Sequence, residues 1–60
     1  MKFVELTYAF SGMKGLFRTD TIELVVEGRN DKSEIYINGT RTIVEESFHT
    51  VKKLLEGAEA

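Results

Sequence analysis

The sequence predicts an α+β domain: an antiparallel four- to five-stranded sheet or small barrel, followed by one C-terminal amphipathic helix. Three observations predict it. Apolar and polar residues alternate through residues 2–11 and again from Ile22 to Glu27, the two-residue period of a half-buried strand. An Asn38-Gly39 pair separates two runs rich in strand-forming residues, which is a hairpin signal. Phe48, Val51, Leu54 and Leu55 then recur at helical spacing behind Ser47.

In the first strand Val4, Leu6, Tyr8 and Phe10 are apolar, while Glu5, Thr7 and Ser11 are polar. Ser11-Gly12-Met13-Lys14-Gly15 supplies two residues able to take positive φ, so the chain is expected to reverse there. Leu16 and Phe17 then begin a second strand. Arg18-Thr19-Asp20-Thr21 reads either as a turn or as the middle of one long strand, because Thr favours strands and Asp disfavours them. Ile22, Leu24 and Val26 alternate with Glu23, Val25 and Glu27 in a further strand that ends at Gly28, and the polar residues 29–33 read as a surface loop.

Residues 34–37 and 40–44 flank the Asn-Gly pair, and the turn type decides which side chains are buried. A two-residue turn pairs Ile37 with Thr40 and Ile35 with Thr42, with Val44 on the same face and Tyr36 opposite Arg41 on the other. A three-residue loop with Gly39 as a bulge instead groups Ile35, Ile37 and Ile43. In the helix, the Ser47 hydroxyl can cap the first free amides. Glu45 and Glu46 suit its positive end, Lys52 and Lys53 its negative end, and Gly57 is placed to terminate it. At roughly ten residues such a helix does not persist alone, so its stripe must dock on the sheet or on a partner.

The 60 residues allow one domain, spanning 1–60, which buries only about 60% of its unfolded surface. No Cys is present, which excludes disulfides, thiolate zinc sites and a catalytic cysteine, and leaves oligomerisation or a bound partner as the remaining source of support. Neither a signal-peptide core nor an apolar run near 18 residues occurs, so a cytoplasmic protein with no membrane contact is expected. A net charge of −2 has the wrong sign for a dedicated nucleic-acid binder, though a local basic patch is compatible with it.

Catalytic chemistry has little to work with. His49 is the single histidine; it falls in the first helical turn, off the apolar stripe, with no second His or Cys to complete a metal set. Ser11 and Ser33 lack a histidine partner. Gly12-Met13-Lys14-Gly15 has the glycine spacing of a nucleic-acid clamp, but it lies between strands rather than helices and lacks the Ser or Thr of a phosphate-binding loop. No enzyme, cofactor or metal is therefore expected.

Two surfaces remain as candidates. Lys14, Arg18, Arg29, Lys32 and Arg41, with Tyr8 or Tyr36 as stacking platforms, could meet a partner or a nucleic acid; a solvated surface is the plainer reading, because Glu23, Glu27, Glu34, Glu45 and Glu46 interrupt them. The second is apolar. Phe3, Ala9, Phe17, Val25 and Ile43 fall opposite the main alternations or at strand ends, and one helix covers only one face of a sheet. Phe17, Val25 and Ile43 are the residues expected to mediate self-association.

The stretch Glu34-Ile35-Tyr36-Ile37-Asn38-Gly39-Thr40-Arg41-Thr42-Ile43-Val44-Glu45-Glu46-Ser47 resembles the small flagellar proteins of the FlbD or SwrD family, which share a strand ending in Asn-Gly, a short β return and a Glu-Ser that opens a Val-containing helix. Leu6-Thr7, the turn at Ser11-Gly12 and the strand opening Ile22-Glu23 follow in a similar order; the first turn differs, since that family usually carries an Asn-Gly there. The resemblance implies a small cytoplasmic protein that supports flagellar function without catalysis. Proteins of this size and pattern are also made by phages and mobile elements to inhibit host machinery. The expected function is thus noncatalytic binding of a protein partner or of a second copy, with nucleic-acid binding as the alternative.

Overall fold

A computed structural model describes residues 2–59, with side chains to Gly57. Five strands precede one helix: β1 (Phe3–Thr7), β2 (Lys14–Arg18), β3 (Ile22–Glu27), β4 (Ser33–Ile37), β5 (Thr40–Val44) and α1 (Phe48–Glu59), with a 3-10 turn at Thr19–Thr21. All pairings are antiparallel, but they form two sheets, β1-β2 and β3-β4-β5. The expected four- to five-stranded sheet or barrel is therefore corrected. The break lies at residues 18–21, where the Thr21 hydroxyl donates to the Arg18 carbonyl (2.8 Å) and Arg18 holds Asp20 (3.0 Å), turning the chain off the first hairpin. A single bridge, Tyr8 to Val44, joins the sheets: the Ala9 amide donates to the Ile43 carbonyl (3.0 Å) and the Glu45 amide to the Thr7 carbonyl (2.8 Å). β2 and β3 do not pair with each other, so no barrel closes among the described residues.

Inside β1-β2, Val4 faces Phe17 and Leu6 faces Gly15. The strand stops at Thr7 rather than reaching Ser11, because the Tyr8 amide donates to the Met13 carbonyl and the Gly12 amide to the Tyr8 carbonyl. Gly12 takes the positive φ (74°) this turn needs. Gly15 does not turn the chain; it lies in β2 beneath the Tyr8 ring, where an added Cβ would sit 3.1 Å from that ring. Tyr8 in turn packs on Phe17, with ring centroids 5.6 Å apart. Phe17 is buried in the core, so its placement on a leftover face is corrected.

The second hairpin settles the register. Asn38 and Gly39 have φ of 52° and 78°, as a two-residue primed turn requires, and Ile37 pairs with Thr40, Ile35 with Thr42 and Tyr36 with Arg41. Ser33 opens β4 fully buried instead of lying in a surface loop, its hydroxyl donating to the Glu46 carbonyl (2.7 Å). The preceding turn carries Asn30 and Asp31 at positive φ (55° and 61°), a conformation these residue types tolerate. Gly28 is required beside it, since a Cβ there would meet the Lys32 carbonyl oxygen at 2.9 Å.

Val51 fills the space between the sheets together with Val4, Leu6, Phe17, Ile35 and Val44, and Ile22, Val25, Ile37 and Leu55 pack around them. Ser47 caps α1 as the sequence predicts: its hydroxyl accepts from the Thr50 amide (3.2 Å). The helix runs through Gly57 to Glu59, so Gly57 does not end it and Lys52 and Lys53 lie in its middle rather than at a negative end. Its buried stripe is narrower than the spacing implies. Phe48 and Leu54 remain exposed.

Candidate interaction surface

The outer face of β3-β4-β5 is built by a bulge. Ile22 pairs with Ile37, but Leu24 pairs with the adjacent Tyr36, so Glu23 is an extra residue on β3. Its carboxylate accepts the Gly39 amide (3.0 Å), tying the bulge to the tip of the next hairpin. Because side chains alternate, this one-residue shift turns the rest of β3 over. Val25 faces Ile35 in the core, which corrects its expected place on a leftover face; Leu24 and Val26 point outward at 54% and 38% exposure.

Two rows therefore cross the outer face, Leu24-Tyr36-Arg41 and Val26-Glu34-Ile43. The helix cannot cover them, since Val51 and Leu55 pack on the opposite, core side. Tyr36 and Ile43 are half-buried, and Arg41 approaches Glu34 at 3.7 Å across the face. Phe10, carried past the β5 edge by the first turn, is 89% exposed. It stands beside Ile43 as the shared wall of two open grooves. One, of about 380 Å³, is lined by Tyr8, Ala9, Ser11 and the Arg41-Thr42-Ile43 stretch of β5; the other, of about 280 Å³, by Gly28, Arg29, Asn30, Lys32 and Glu34.

Of the basic candidates, this region gathers Arg29, Lys32 and Arg41 with Tyr36, whereas Lys14 and Arg18 lie on the other sheet. Lys14 pairs with Glu5 (3.5 Å), Arg18 with Asp20 (3.0 Å) and Lys32 with Glu45 (3.2 Å). Such exposed pairs add little stability, yet each places a carboxylate where a phosphate would bind. Of Phe17, Val25 and Ile43, only Ile43 reaches the outer face. Leu24, Val26 and Phe10, which complete that face, were not singled out by sequence reasoning; an apolar residue on both faces of β3 was the available signal.

His49 lies exposed on the first turn of α1. Among the described residues, no three His, Asp or Glu side chains gather as a metal site, and no helix is long and apolar enough to cross a membrane. No family model, curated protein or solved structure matches this chain.

Proposed function

We propose that this chain is a noncatalytic interaction protein that works by holding a protein surface against the outer face of β3-β4-β5. One observation carries the reading: the Glu23 bulge turns Leu24 and Val26 away from a core that has little apolar material to spare. Burying a large apolar side chain contributes about 1.5–3 kcal/mol, so exposing two of them by a bulge held in place by a hydrogen bond is a cost that binding would recover. The resemblance to the FlbD or SwrD family supports a flagellar context in the cytoplasm; an inhibitor of host machinery encoded by a phage or mobile element fits the same surface. Gene neighbourhood separates those two.

Capture from a lysate of the source cells, with Leu24→Glu as the matched control, tests the reading. The wild-type chain is expected to retain a protein, or to associate with itself, and Leu24→Glu to lose at least about tenfold in affinity while its circular dichroism is unchanged. A wild-type chain that is monomeric and retains nothing overturns the reading, as does a capture that Leu24→Glu leaves intact. Nucleic-acid binding through Arg29 and Arg41 beside Phe10 and Tyr36 is the second reading; it predicts affinity for single-stranded oligonucleotides that falls steeply with salt.

A further inference from the structure

We infer that the occupant of this face is a second copy of the same chain, docked about a two-fold axis with each Phe10 seated in the other's groove. The inference rests on the reading of the face as a protein-binding surface and names its partner.

Two features of the face are self-complementary, and a third sets how strongly it holds. The first is charge. The two rows carry one cation, Arg41, and one carboxylate, Glu34, held together only loosely at 3.7 Å. A two-fold operation brings the Arg41 of one copy to the Glu34 of the other and the reverse, so the loose pair inside each copy is joined by two pairs across the interface. A partner surface of uniform sign would set a like charge against one of them. The second is shape. Phe10 is a protruding ring whose own flank forms the wall of the groove that ends at Arg41, Thr42 and Ile43. That groove, of about 380 Å³, is open to solvent along its length, so a ring can enter it without rearrangement of its walls. A knob beside its matching hole is the arrangement an isologous contact uses, and it puts the ring of one copy over the Arg41 guanidinium of the other.

The third is area, which sets the strength. A standard interface buries about 800 Å² per partner, roughly a fifth of the 4250 Å² this chain exposes. That is a large share for a chain of this size to commit to one contact. The dimer is accordingly weak and concentration-dependent, and Leu24 and Val26, on the β3 edge, extend its apolar contact across the sheet from Phe10.

Sedimentation of the full chain from about 10 µM to about 1 mM tests this, using the wild type, Phe10→Ala, Glu34→Arg, Arg41→Glu and an equimolar mixture of the last two. The wild type is expected to dimerise within that range and Phe10→Ala to weaken it at least about tenfold. Each charge variant alone places like charges across the two-fold and is expected to be monomeric; their mixture pairs opposite charges and is expected to form a one-to-one dimer. Circular dichroism of each variant separates lost association from lost folding. A wild type that stays monomeric at about 1 mM, a dimer indifferent to Phe10→Ala, or a mixture no more associated than its components overturns the inference. If the wild type stays monomeric while Leu24→Glu still abolishes capture of another protein, the second-copy assignment fails and the interaction face stands. If both fail, the face itself is wrong.

Discussion

Replacing Ile35 by alanine is expected to remove about 2–5 kcal/mol and to leave much of the chain unfolded at 25 °C. Ile35 is fully buried on the central strand of the larger sheet, flanked by Val25 on β3 and Thr42 on β5, so the lost volume opens at the meeting point of both sheets and the helix. The neighbours are held by strand pairing and cannot collapse into it. A domain of this length has only about 3–9 kcal/mol of stability in total, which makes this one of the most damaging single truncations available. Urea unfolding followed by circular dichroism measures it, and a loss under about 1 kcal/mol would show that Ile35 is not at the centre of the core.

Glu46→Ala is expected to cost about 2 kcal/mol although the residue is only half-buried. Its two carboxylate oxygens accept from the Thr7 amide (2.9 Å) and the Thr7 hydroxyl (3.0 Å), and its backbone carbonyl accepts from Ser33. The end of β1, the start of β4 and the link into α1 are joined at this one residue. Removing the carboxylate leaves the Thr7 amide without its partner beside the Tyr8–Val44 bridge that joins the two sheets. Glu46→Gln keeps one acceptor oxygen and can donate to the Thr7 hydroxyl, so it is expected to lose about half as much. Thermal melts of the two variants give the comparison; an alanine variant within about 0.5 kcal/mol of wild type would mean that the network carries no stability.

How much of this was legible in the sequence depends on whether the cause was local. The Asn38-Gly39 turn and the Ser47 cap are set by residues one to three positions apart, and both are found as the sequence predicts. The burial of Val4 and Leu6 follows from period alone. The strand boundary at Tyr8 does not, because Tyr8-Ala9-Phe10 holds no turn-forming residue; the chain leaves the strand there through a bridge to Val44, far along the chain. Glu46 reads as a residue placed for the helix dipole, but its partner is Thr7.

The Glu23 bulge is the clearest case. Ile22-Glu23-Leu24-Val25-Val26 is apolar on both faces, so either phase of the alternation satisfies the pattern after Ile22. The phase is chosen by a hydrogen bond to Gly39, on a different hairpin. That choice also fixes the candidate site: with an unbroken alternation Leu24 and Val26 would be core residues, and Val25 would be the one apolar side chain that β3 presents to the outer face. Glycine at position 57 has the residue type of a helix stop, yet nothing forces positive φ there, and a helix tolerates an exposed glycine at about 1 kcal/mol.

Thiol labelling tests the central claim most directly, since the chain has no cysteine of its own to react. Single cysteines placed at positions 24, 25 and 26 are labelled with a maleimide in the folded protein, and the rates are compared with those in urea. The bulged register predicts fast labelling for Leu24→Cys and Val26→Cys, slowing as the protein concentration rises and the face is covered, and slow labelling for Val25→Cys at every concentration. The reverse order, with Val25→Cys fast and its two neighbours protected in the dilute monomer, would contradict both the bulge and the docking surface built on it.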